Sequence, residues 1–145
     1  MTDRLLRLYL AGPMVGVPEH NFPLFNRVAA ELRAAGHQVF NPAENDDGGV
    51  RRPRAFYMRL DVPALLASEA VVVLSGWQRS RGANLEVWLA LDLGMPIYRF
   101  VEINGGGALE HLANLELHRL PEWTVLLERT AGLIRRSDTP AAAPP

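Results

Sequence analysis

Cysteine is absent from the 145 residues, which excludes disulfides, thiolate catalysis and cysteine-ligated zinc. Histidine is sparse: His20, His37, His111 and His118 are the only four. Their spacing matches no metal-ligand pattern, so structural or surface roles are expected and no metal site. An excess of either charge is missing too. The net charge is -1 and the pI about 6.4, which leaves no electrostatic footprint for a nucleic-acid polymer or an anionic membrane. A few local donors still suffice for one small anion such as a phosphate. No apolar run approaches the roughly 20 residues of a membrane-spanning helix. The first residues carry Arg4 and Arg7 in a short apolar stretch, without a signal-peptide core or a small-residue cleavage site. A cytoplasmic protein is expected.

What is present is an ordinary globular composition, 48% hydrophobic and 21% charged, in a length suited to one domain with a sizeable core. Residues 5–11 (LLRLYLA) form a short apolar run that ends in Gly12-Pro13, read as a buried strand and its following loop. Asn21 is an N-cap candidate ahead of Pro23, an early-helix proline. Phe25, Val28, Ala29 and Leu32 continue at helical spacing to a stop at Gly36. Residues 37–41 are a second strand. Residues 42–52, with Asp46-Asp47-Gly48-Gly49, read as a polar, mobile loop.

A second helix is expected over 54–67, with Phe56, Leu60, Ala64 and Ala67 sharing one face and Pro63 as a kink or the start of its second half. AVVVL at 70–74 has the unalternating β-branched character of a central parallel strand covered on both faces. Gly82 opens a third helix that Gly94 closes, and its residues read as apolar all round and hence buried. PIYRFV at 96–101 is a fourth strand. Gly105-Gly106-Gly107 breaks the chain before a helical part that reaches about Arg136. Residues 137–145 (SDTPAAAPP) form a low-complexity, disordered tail. The order strand, helix, strand, helix, strand, helix, strand, helix implies an α/β, flavodoxin-like or Rossmann-like three-layer sandwich with a parallel sheet over residues 1–136. Ligands bind such sheets at the carboxyl ends of the strands, here at residues 12–20 and 75–82.

Three polar side chains lie among apolar neighbours: Tyr9 in the first strand, Asp61 in the second helix and Glu86 in the first turns of the third. Singly, each has an ordinary reading: a packed phenol, a helix-start acid, a carboxylate at a helix dipole. Their combination is more specific. LYLAGPM (8–14), YMRLDVPALLASEAVVVL (57–74) and SGWQRSRGANLEVWLALDLGMPI (75–97) resemble the nucleoside 2-deoxyribosyltransferase superfamily, above all its small phage and bacterial members. The resemblance runs from about Leu5 to Phe100. It implies an active site of Tyr9, Asp61 and Glu86, with Glu86 as nucleophile and no cofactor. Members that hydrolyse nucleoside 5′-monophosphates, such as 5-hydroxymethyl-dUMP N-hydrolase, carry a Ser six positions before that Glu and a Gly four before it. Ser80 and Gly82 match. Transferases of free nucleosides typically have an acid where Ser80 stands. Gly12, Pro13, Met14 and Asn84 join Ser80 and Gly82 as binding candidates, although Gly12-Pro13-Met14 departs from the basic first loop of the monophosphate hydrolases. Trp77 is not a fixed feature of the transferases and is a candidate only as a loop Trp that covers base or sugar, with plain packing as its alternative.

The expected function is cleavage of the N-glycosidic bond of a (deoxy)nucleoside 5′-monophosphate, by hydrolysis or base exchange. Transfer between free nucleosides and a non-catalytic nucleotide sensor are the alternatives. A lysine-decarboxylase-like phosphoribohydrolase lacks its PGGxGTxxE signature here, and a dinucleotide-dependent oxidoreductase lacks G-x-G-x-x-G after the first strand. The partner is a small molecule. The family likeness and the apolar third helix, with Trp88 and Leu89, add a homodimer or larger homo-oligomer.

Overall fold

The computed structural model describes residues 4–112. These belong to a compact unit, Met1–Leu112. The expected C-terminal helix, the 137–145 tail, the domain limit at 136 and His118 lie outside the described residues. The strands are β1 (Arg7–Ala11), β2 (Gln38–Phe40), β3 (Ala70–Val73), β4 (Ile97–Ile103) and β5 (Gly106–His111), and the helices are α1 (Phe22–Ala34), α2 (Arg54–Leu66) and α3 (Arg81–Asp92). The sheet order is β2-β1-β3-β4-β5. Its first four strands pair in parallel, and β5 runs antiparallel to β4. This is the flavodoxin-like arrangement, with its switch in strand order between β1 and β3.

Alternation along the strands divides the core into two faces. Leu8, Leu10, Ala70 and Val72 pack with Phe25, Val28, Ala29 and Leu32 of α1 in one cluster. The residues between them, Tyr9, Val71, Val73 and, in register, Ile97, turn to the opposite face, where α2 and α3 supply buried Leu65, Val87 and Ala90. Every residue of β3 is buried, as its β-branched run requires of a strand covered on both sides.

The sheet departs from the expected parallel one at its edge. The three glycines at 105–107 do not break the chain. Asn104 and Gly105 both take left-handed φ, 43° and 84°, and Ile103 pairs with Gly106. That is a two-residue Asn-Gly hairpin turn, whose twist matches the strands it joins. Gly107 then leaves room for an aromatic ring, since a Cβ there would fall 2.0 Å from Phe100.

The apolar stripe of α2 is not its buried face. Phe56 and Leu60 are 40% and 43% exposed, and the buried residues are Asp61 and Leu65. Its first turns line a cleft, and its buried residues lie in its second half. α3 is likewise not buried all round: Ala83, Glu86, Val87 and Ala90 are buried, whereas Leu85 and Leu93 are exposed. No described helix is long and apolar enough to cross a membrane.

β1 hands over to the first loop at Gly12, where a side chain has no room. A Cβ there would stand 3.0 Å from Leu74 Cβ and 3.2 Å from the Phe25 ring. Gly12→Ala is expected to cost about 1–3 kcal/mol, the usual penalty of overpacking. Urea unfolding checks this, and an unchanged midpoint would show that the loop yields freely.

Candidate active site

Tyr9, Asp61 and Glu86 come from three elements and meet on one face of the sheet. β1 delivers Tyr9, which is fully buried and stacked on Phe40 with ring centroids 5.4 Å apart. α2 delivers Asp61 and α3 delivers Glu86, each only 7% exposed. Asn45 Nδ2 donates to Asp61 Oδ1 at 2.7 Å. The Tyr9 hydroxyl is buried without a well-formed hydrogen bond among the described residues, yet it lies close enough to Glu86 for the two groups to perturb each other.

Burial dominates the electrostatics. It raises the Glu86 carboxyl to about 8, with the neighbouring Asp61 charge adding to the rise while Tyr9 and Arg54 oppose it. Burial raises Asp61 to about 6 against the Asn45 amide, which favours the ionised form. Tyr9 is pushed far above the usual phenol range by burial, then by the charges of Glu86 and Asp61. Two neighbouring buried carboxyls resist double ionisation. Near neutral pH the pair therefore retains a proton, leaving one group able to attack and one able to donate.

The carboxyls open into a cleft of about 980 Å³ at the carboxyl ends of β1 and β3. One wall is a stripe of α2, Arg54, Tyr57, Met58 and Asp61, which shares a face at helical spacing. Gly12, Pro13 and Met14 of the first loop line another side, and Ser80, Gly82 and Glu86 line the side formed by the start of α3. Among the described residues no group of three or more His, Cys, Asp or Glu is placed to hold a metal ion.

A model of a domain of unknown function, DUF4406, matches residues 6–99. The chain belongs to the DUF4406 family. No curated protein matches it. Among solved structures it is similar to a 2-deoxyribosyltransferase from Bacillus psychrosaccharolyticus, with a TM-score of 0.54 and 24% identity over 68% of this chain and 77% of that one. A conserved protein from Enterococcus faecalis V583 aligns with a TM-score of 0.49 and 20% identity over 82% of this chain and 78% of that one. The fold of this DUF4406 chain is thus the α/β fold of the deoxyribosyltransferase, in keeping with the likeness in the sequence.

The remaining candidates of the DUF4406 site divide into two groups. Ser80 is the N-cap of α3 and its Oγ accepts from the Ala83 amide at 3.2 Å. An Oγ that accepts in this way keeps its own proton to donate. Gly82 faces open space: a Cβ added there would meet only Ser80 Oγ, at 4.0 Å. Asn84 and Trp77 do not line the cleft. The Asn84 amide is committed to the Gln78 and Ser80 carbonyls, both at 2.8 Å, so it ties the loop to the helix. Trp77 is buried within a short 3-10 turn.

Sequence reasoning passed over Asn45, Tyr57, Met58 and the arginines at 51, 52 and 54. The signal available was the RRPR run just ahead of α2. Asn21 stands where an N-cap was expected but does not cap. It is left-handed, with φ 61°, and its Nδ2 donates to the Pro13 carbonyl at 2.9 Å. It closes a turn in which Glu19 and His20 are left-handed as well, an unusual run for residues with side chains.

The raised carboxyls bind protons in the folded state that the unfolded chain releases at ordinary carboxylate pH. Their contribution to stability is present below about pH 4 and is lost as pH rises through about 6 and 8. Denaturant midpoints should therefore fall between pH 5 and 9, at roughly 1.4 kcal/mol per pH unit for each proton retained. Glu86→Gln should flatten that slope and exceed the parent in stability at the alkaline end. A parallel slope in the two proteins would show that Glu86 ionises normally.

Proposed function

We propose that the chain cleaves the N-glycosidic bond of a nucleoside 5′-monophosphate, by hydrolysis or base exchange, with Glu86 as nucleophile. The observation that carries this reading is the buried carboxyl pair Asp61 and Glu86 lining a cleft that also receives the Ser80-capped start of α3, with Tyr9 buried behind Glu86 outside the lining. The similar solved structure is named a 2-deoxyribosyltransferase, which supports glycosyl transfer as the class of reaction.

Breaking the bond builds oxocarbenium-like charge on the sugar. In the first step a Glu86 oxygen bonds to C1′ as the bond from C1′ to the base nitrogen breaks. The bonding pair leaves with the base, and the one proton of the pair, which rests on Glu86 before attack, passes to Asp61 and from there to the base. The Asn45 amide occupies Asp61 Oδ1, which directs that proton to Oδ2. Tyr9 orients the Glu86 carboxyl from below. In the second step water or another base attacks C1′ and frees Glu86, Asp61 taking up the proton. The positive end of α3 and the Ser80 hydroxyl favour a phosphate on the sugar. Such a charge-assisted bond contributes on the order of 1.5–3 kcal/mol.

Two substitutions test this reading on a nucleoside and nucleotide panel followed by chromatography. Glu86→Gln should remove several orders of magnitude of base release while the protein stays folded. Ser80→Asp keeps an N-cap acceptor but sets a negative charge against the phosphate. It should lower kcat/KM for the monophosphate tenfold or more and change that for the matching nucleoside much less. Turnover in folded Glu86→Gln overturns the nucleophile. A nucleoside that outperforms its monophosphate restores transfer between free nucleosides, and tight binding without base release favours a sensor.

The same reading includes a homodimer. Phe56 and Leu60 of α2, Leu85 of α3 and Leu93 at its C-cap stay 40% to 50% exposed, apolar side chains that a second copy could cover. Light scattering at micromolar concentration should give twice the chain mass, and Leu85→Glu with Leu60→Glu should return it to one. A parent protein that scatters as a monomer removes this part.

A further inference from the structure

Most of the described arginines fall into two groups. The sequence contains no lysine, so every basic side chain of that class is a guanidinium. Away from the cleft, Arg4 and Arg7 pair with Glu69, Arg27 with Glu102, Arg33 with Glu44 and Arg99 with Glu110. Five further arginines, 51, 52, 54, 79 and 81, line the cleft. Of these only Arg52 has a carboxylate partner among the described residues, Asp47 at 2.9 Å, and it also lies over the Phe56 ring. Arg51 rests on the His20 ring. Arg54, Arg79 and Arg81 form no salt bridge among the described residues. The acids facing them in the cleft are Asp46, Asp61 and Glu86, and the last two share a proton near neutral pH. Among the described residues the cleft gathers surplus positive charge, whereas the arginines away from it are paired with carboxylates except Arg59.

That surplus comes from two places. Arg79 and Arg81 flank Ser80 at the β3–α3 connection, and Arg51 and Arg54 lie at the β2–α2 connection. In the sheet β2 and β3 stand on opposite sides of β1, whose Tyr9 underlies Glu86. A sugar over Glu86 with its phosphate at Ser80 therefore directs its base towards α2. There the proton donor Asp61, then Met58 and Tyr57, then Arg54 succeed one another along one stripe. Asp61 and Arg54 are seven residues apart, about 10 Å of helix, enough for a pyrimidine ring and one substituent. Met58 and Tyr57 offer its faces an apolar and aromatic surface.

We propose that the substrate is anionic at both ends: a nucleotide whose base carries an acidic substituent, held by Arg54 with Arg51 beside it. The proposal rests on the nucleotide reading above and narrows it to a class of base. A guanidinium matches a carboxylate with two parallel hydrogen bonds. Arg54 also stands where it can stabilise negative charge on the departing base.

The test is equilibrium binding to full-length Glu86→Gln protein, which holds ligand without turnover, with 5-carboxy-dUMP and dUMP as the probes. The carboxylated nucleotide should bind roughly tenfold tighter or more, and added salt should shrink the difference. Arg54→Gln should erase that ratio, weakening the carboxylated nucleotide roughly tenfold more than dUMP, whereas Ser80→Asp should weaken both nucleotides and preserve the ratio. Equal affinity of the two probes, or a preference that survives Arg54→Gln combined with Arg51→Gln, overturns the acidic-base proposal and leaves the nucleotide reading standing. Failure of both probes to bind, with folding intact, removes the nucleotide reading and this proposal together.

Discussion

Everything about the site follows from the cost of holding two carboxyls out of water beside each other. A buried charge is tolerated only with compensation, and here the compensation is partial. Asp61 receives one amide from Asn45, Glu86 feels Arg54 and Tyr9, and the Tyr9 hydroxyl is left without a well-formed hydrogen bond among the described residues. A chain selected for stability alone would fill these positions with apolar side chains, as it does at Leu65 and Val87 on the same two helices. Local inconsistency of this kind, set in an otherwise consistent core, is where function is expected. The proton that the pair retains is the same resource that an attack on C1′ with protonation of the leaving base requires.

The fold bears that cost by making the surroundings rigid. β1 and β3 are buried almost throughout, so Tyr9 has a fixed platform, and α3 packs directly on both strands. The loops that frame the cleft are held by specific contacts. Asn21 grips the Pro13 carbonyl, Gly12 lets Leu74 and Phe25 close in, and Asn84 ties the β3–α3 connection to its helix. The left-handed run at Glu19, His20 and Asn21 costs about 1–2 kcal/mol per residue. Such strain persists where surrounding structure over-determines the loop, and here the loop forms one wall of the cleft.

Much of this was legible in the sequence because single residues violated their local pattern. AVVVL announced a two-sided central strand, Gly12-Pro13 ended β1, and Tyr9, Asp61 and Glu86 were polar where their neighbours were apolar. The edge of the sheet was equally legible but outweighed: Asn104-Gly105 is a strong hairpin signal, masked by the glycines that follow it. The face of α2 was not legible. Phe56, Leu60 and Ala64 satisfy a helical stripe as well as Arg54, Met58 and Asp61 do, and periodicity cannot tell which stripe is covered when the first turns of the helix line a cleft. Nor could it show that residues 51–54 and 79–81 line one cleft, since that follows from strand order.

Ser80 shows why an ordinary role and a functional one need not compete. Its Oγ accepts the Ala83 amide, which satisfies one of the orphan donors at the start of α3. That bond uses a lone pair and fixes the hydroxyl's position, leaving its proton to point at whatever enters the cleft. A cap is thereby also a preorganised donor, already immobilised before a ligand arrives, so binding through it need not order a new side chain. The free amides of the same helix end converge on the same region. The residue that begins α3 and the residue that would meet a phosphate are one residue, because both tasks require a small hydroxyl side chain at the positive end of a helix.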